Sequence, residues 1–210
     1  MNITLDNAGK KFNRDWIFRN FSYTFTQGNH YAIVGPNGSG KSTLLQVLAA
    51  SMNPTEGSIR FSDDGSEVPP ENVYRHLAIA APYLELVEEM TAAELLSFHA
   101  VFKTLTHPVE EILQLVQLDN TRGKQVRNFS SGMKQRLKLA QAIFSDTKLL
   151  LLDEPCTNLD AAGYQVYQSL IKSFCLQKLV IVSSNDLNEY SFCEERINML
   201  DHKYNRALQQ

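Results

Sequence analysis

Gly35-Pro36-Asn37-Gly38-Ser39-Gly40-Lys41-Ser42-Thr43 is the stretch that most narrows the folds open to this chain. It has the spacing GxxxxGK[ST]. Its glycines let the main chain curl until several N–H groups point at one anion. His30 to Val34 before it reads as a strand, and Lys41 to Ala50 after it as a helix. That order adds the positive end of a helix to the anion site. In such a loop Lys41 reaches the terminal phosphates of a nucleotide, and the Ser42 hydroxyl ligands magnesium.

A second element points to the same chemistry. Leu149-Leu150-Leu151-Leu152 is an apolar strand ending in Asp153 and Glu154. Acids at the tip of a buried strand are costly unless something uses them. Asp153 is suited to magnesium, directly or through water. Glu154 is placed to orient or deprotonate a water that attacks a γ-phosphate.

The remaining pattern is strand–helix alternation with a helical interlude. Phe21, Tyr23 and Phe25 alternate with polar residues, as in a half-buried strand. Ser58 to Phe61 reads as a strand before a polar turn at 62–66, and Leu77 to Ala81 as a short strand stopped by Pro82. Thr91 and Glu94 form a capping box ahead of Leu95, Phe98 and Phe102. Pro108 suits a first helical residue. Ser130 suits the cap of a helix carrying Met133, Leu137, Ala140 and Phe144 on one face. Residues 84–140 therefore read as mainly helical. A helix through Tyr164, Tyr167, Leu170, Ile171 and Phe174 and a strand at Leu179 to Val182 follow. Unrelieved apolar strands of this kind belong to a parallel sheet covered on both faces.

At 210 residues, 43% hydrophobic, the chain has material for one substantial core. A net charge of -3 makes nucleic acid an unexpected partner. Cys156, Cys175 and Cys193 are widely spaced and expected to be buried thiols. The opening residues do not resemble a signal peptide, and no apolar run approaches a bilayer span. The five histidines lack metal-ligand spacing and read as structural or surface residues. The polar loop Asp119 to Asn128, with Arg122, Lys124 and Arg127, reads as a solvated turn.

Taken in order, these motifs resemble those of ABC-type ATPases over nearly the whole chain. Gly35 to Thr43 is similar to the Walker A motif and Leu149 to Glu154 to Walker B. Phe129-Ser130-Ser131-Gly132-Met133 resembles the family signature, and Asn158-Leu159-Asp160 the D-loop. Phe12 lies where the family places an aromatic against adenine, with Trp16 a weaker candidate. The resemblance implies an α/β P-loop NTPase fold in one domain, residues 1–210. It would have a RecA-like core, an N-terminal antiparallel β subdomain and an inserted helical subdomain at about 84–140. It implies ATP and Mg2+ as cofactors, bound between this chain's loop and Ser130, Ser131, Gly132 and Asp160 of a second ATP-binding subunit. It also implies a membrane-spanning transporter subunit as partner, with this chain on the cytoplasmic face of the membrane. A homodimer is favoured over a heterodimer.

Two positions depart from the family pattern. Tyr83 stands where a glutamine is usual, with Glu85 a nearby substitute, and Asn185 stands where a histidine is usual. Asn185 retains an N–H donor for the γ-phosphate but carries no titratable proton. Genuine but slow hydrolysis is the expectation, leaving two alternatives to a transport motor: a soluble assembly ATPase and an ATP-gated regulatory subunit. Tyr83, Leu84, Leu86 and Val87 read equally as a docking surface or as ordinary core.

Overall fold

In the computed structural model, which describes residues 1–121 and 123–203, the four leucines Leu149–Leu152 are fully buried. Leu150 and Leu152 face one apolar core, Leu149 and Leu151 another. A strand projects successive side chains to opposite faces, so a strand with a core on each side must be apolar at every position. The Val180/Val182 and Leu179/Ile181 pairs divide in the same way.

Among the described residues, nine strands make two sheets. β1 (Asn2–Phe12) and β2 (Asp15–Phe25) form a hairpin. With β4 (Glu56–Asp63) and β5 (Ser66–Val68) they give an antiparallel sheet ordered β2-β1-β4-β5. The second sheet contains β3 (His30–Val34), β6 (Leu77–Ala80), β7 (Leu149–Asp153), β8 (Leu179–Ser183) and β9 (Glu195–Asn198). Its order is β6-β7-β8-β3-β9, with parallel pairing throughout. Helix α1 (Lys41–Leu48) shares a core with the antiparallel sheet. On the other face lie α2 (Ala92–Phe102), α3 (Val109–Leu115), α4 (Ser131–Ile143) and α5 (Ala161–Phe174). A short α6 (Leu187–Tyr190) joins β8 to β9. This is the α/β arrangement expected from the sequence, antiparallel sheet included.

Several local expectations change. Residues 84–90 are not helical. The Val126 N–H donates to the Met90 carbonyl at 2.8 Å and the Arg127 N–H to the Glu88 carbonyl at 2.9 Å, so these carbonyls are engaged across the chain instead of along a helix. Helix α4 runs beyond residue 140 to Ile143, with Phe144 as its cap. Pro108 is the N-cap of α3, one position before the first helical residue. The first helix ends at Leu48, and Ala50 has a positive φ of 55°. The turn expected at 62–66 is tighter, because β4 extends to Asp63 and β5 starts at Ser66. Thr91 and Glu94 do form the reciprocal capping box, and all three cysteines are free and buried. Arg122 and the polar tail 204–210 lie outside the described residues.

Candidate nucleotide-binding site

The loop between β3 and α1 has the backbone its glycines allow. Gly40 caps α1 at φ 102°, in a region L side chains rarely adopt, and a Cβ there would lie 2.4 Å from the Ile17 Cγ2 of β2. No side chain caps α1 and its first turn holds no acid, so its leading N–H groups remain available to an anion. Lys41 is 6% exposed and its Nζ donates to the Gly35 carbonyl at 2.8 Å. The buried Ser39 Oγ has no hydrogen-bond partner among the described residues. A cleft of about 360 Å³ lies over the loop, lined by residues 37, 38 and 40–43 together with Ile17 and Glu154.

Strand β7 brings its two acids to this cleft differently. Asp153 is 3% exposed, while Glu154 is half-buried and lines the cleft itself. Glu154 has a φ of 44°, uncommon for a residue with a Cβ, and its N–H donates to the Ser183 carbonyl of β8 at 2.8 Å. The turn after it is held by Glu189. That carboxylate is 4% exposed and accepts the Cys156 N–H at 2.7 Å. Burial pushes the Glu189 carboxyl up, against hydrogen bonds from Ser184 and the Cys156 main chain, which lower it. The Tyr167 hydroxyl donates to the Glu189 carbonyl at 2.7 Å. Sequence reading missed Glu189, since an acid in a polar stretch gives no sign that it is buried.

The two departures sit beside these residues. The Asn185 Nδ2 donates to the Asn37 Oδ1 at 2.9 Å, joining the end of β8 to the phosphate loop. Tyr83 is 49% exposed. Partial burial and the Asp153 charge raise its pKa. Leu84 and Val87 are exposed as well, whereas Leu86 packs against the helical core. Of that segment, Leu86 is the residue that reads as core. Glu85 lines two adjoining grooves with Leu84 and Lys138.

Ser130, Ser131 and Gly132 do not line the cleft over their own loop. They open α4, where the exposed Ser130 Oγ accepts the Met133 N–H at 3.3 Å. A Cβ at Gly132 would lie 3.0 Å from the Asn158 carbonyl, so the start of α4 abuts the 158–160 loop. The Asp160 Oδ1 accepts the Gly163 N–H at 2.8 Å and caps α5. Phe12 is exposed and pairs across the hairpin with Asp15. Ile17, left unpaired where the β1–β2 register shifts, supplies the cleft wall. Trp16 is engaged elsewhere, with the Lys11 ammonium 5.3 Å and the Arg19 guanidinium 4.6 Å from its ring centroid.

The donor set fits a magnesium–nucleotide complex. Asp153 is a buried carboxylate that forms no ion pair among the described residues, and Ser42 offers a hydroxyl at the start of α1. Hard oxygen donors of this kind, few in number, suit Mg2+ carried in on phosphates.

Comparison with known proteins shows the family. Residues 18–157 match the family model described as ABC transporter. The chain is 31% identical over 206 residues to a lantibiotic transport ATP-binding protein of Streptococcus pyogenes, covering 94% of this chain and 86% of the relative. It is 29% identical to the Nod factor export ATP-binding protein I of Sinorhizobium fredii, covering 95% of this chain and 60% of that one. Among solved structures, the dimeric ATP-binding cassette MJ0796, in a post-hydrolysis state bound to ADP and Pi, superposes with a TM-score of 0.79 at 22% identity. The match covers 93% of each chain.

Proposed function

The chain belongs to the ABC transporter family as an ABC-type ATPase domain, and from that premise we propose that it is the ATP-driven motor subunit of a transporter. On this reading it closes head to tail with a second ATP-binding subunit, a second copy of itself being favoured, and so drives a separate membrane-spanning subunit. The observation that carries it is one cleft in which Lys41 and Ser42 face Glu154, with Asp153 buried behind.

ATP lays its phosphates on the loop N–H groups of residues 35–43 and the first turn of α1. Lys41 exchanges the Gly35 carbonyl for phosphate oxygens. Ser42 and Asp153 would hold Mg2+, which when bound neutralises charge on the phosphates. Glu154 takes a proton from a water whose oxygen forms the new bond to the γ-phosphorus. The bond from that phosphorus to the bridging oxygen breaks, and ADP leaves with the electron pair. The Asn185 amide turns from Asn37 to donate to the γ-phosphate. Ser130, Ser131 and Gly132 of the second subunit offer the N-terminal N–H groups of α4 to the same phosphate from across the interface. Phe12 stacks on the adenine from the edge of the hairpin, and Asp160 joins the interface beside it.

No described helix is long and apolar enough to cross a membrane, which fits a role on the cytoplasmic face beside a membrane-spanning partner. Exposed Tyr83, Leu84 and Val87, with the grooves around Glu85 and Lys138, offer the docking surface. Steady-state phosphate release with Mg2+ and ATP is the test. Activity above that of Glu154→Gln, and co-fractionation with membranes only when the partner is present, are the expected results. Equal release from both proteins would reject the motor. Neutral residues at 83 and 185 favour a slow cycle, as in a subunit gated by ATP binding more than by turnover.

A further inference from the structure

Asn185 is exposed, but the residues on either side of it are pinned. Before it, the Ser184 N–H donates to the Ile33 carbonyl of β3 at 3.2 Å. After it, Asp186 has both carboxylate oxygens engaged. Its Oδ1 accepts the Asn188 N–H at 2.9 Å and caps α6, and its Oδ2 accepts the Tyr164 hydroxyl of α5 at 2.7 Å. A hydrogen bond to a charged acceptor is among the stronger ones available at a half-buried site. Tyr164 is itself fixed: its side chain packs against the helical core, and its N–H donates to the Asp160 carbonyl at 3.0 Å. One side chain thus ties the start of α5, next to the 158–160 loop, to the turn that carries Asn185. A groove of about 440 Å³ holds Asn158, Tyr164, Asn185 and Asp186 together with Asn37 and Glu154, and the last two also line the cleft over the phosphate loop. An amide on a free turn would lose rotamer freedom each time it met a phosphate, and a turn already held lessens that cost.

We propose, resting on the role given above to Asn185, that Tyr164 is a positioning residue for ATP hydrolysis: by holding Asp186 it keeps the Asn185 amide directed at the phosphate loop. Tyr164 works through Asp186 and Asn185, whose amide already reaches Asn37 at 2.9 Å. The same hydroxyl links Asn185 to the 158–160 loop, because Tyr164 lies one helical turn beyond Asp160.

Single-turnover phosphate release by the full chain with Mg2+ and ATP, beside calorimetric ATP affinity, tests it. Tyr164→Phe keeps the ring and removes the hydroxyl. The rate should fall about fivefold while ATP affinity stays within about twofold of the original. Asp186→Ser keeps a cap for α6 but is too short to reach the phenol, so its loss of rate should match. Asn185→Ala should cost at least as much, and adding Tyr164→Phe to it should slow release no further, since coupled residues do not add. Losses that multiply in the double variant would show Tyr164 acting apart from Asn185 and overturn the proposal. An unchanged rate in Tyr164→Phe, or a fall in affinity equal to the fall in rate, would overturn it too. If Asn185→Ala alone leaves the rate unchanged, the role of Asn185 itself falls, and that of Tyr164 with it.

Discussion

The loops after β3 and β7 line the cleft with one kind of side chain, and the chain leaving β6 and β8 carries the opposite kind. The first pair delivers Lys41, Asp153 and Glu154, all charged, with Ser42 beside them. The second delivers Tyr83 and Asn185, both neutral, with the Asn185 amide turned onto Asn37 of the phosphate loop. On the proposed function, the groups that would hold and cleave a nucleotide are all present, while those flanking them contribute only dipoles. Binding and turnover are therefore expected to respond to different substitutions.

The largest effect should come from the charged pair. Glu154→Gln removes the base and keeps the shape, so kcat should fall about 10²–10⁴-fold, with ATP affinity by calorimetry within about threefold of the original. Lys41→Ala should act on affinity instead, weakening ATP binding about 10- to 100-fold through loss of a charge-assisted hydrogen bond. A neutral flank makes the reverse prediction. Asn185→His should raise steady-state phosphate release about tenfold by adding a titratable donor, and an unchanged or lower rate would mean residue 185 does not limit the cycle. Smallest of all, Asn37→Ala frees the Asn185 amide and should change ATP affinity by only about threefold, read in the same titration.

The charged pair was legible because its chemistry is local in sequence. Gly35 to Thr43 encodes a turn and a helix start, and Leu149 to Glu154 a buried strand with acids at its tip. The Thr91–Glu94 box was equally plain, since both of its hydrogen bonds span three residues. The neutral flank was visible as a departure but not as a contact. That Asn185 meets Asn37 follows from the strand order that sets β8 beside β3, across 148 residues of chain, which no local pattern carries. Residues 84–90 failed as a helix for a related reason. Their carbonyls pair with 126 and 127, a partnership made by tertiary packing against propensity. Ile17 was missed altogether, because one β-branched residue in a hairpin gives no hint of the loop it touches.

That Ile17 contact bears on where the chain can be cut. A fragment beginning at β3 would keep every motif of the cleft, yet the Gly40 bend would lose the methyl group lying against it. The hairpin acts as a buttress for the phosphate loop, and trimming it away would leave the recognisable sequence without its outer wall.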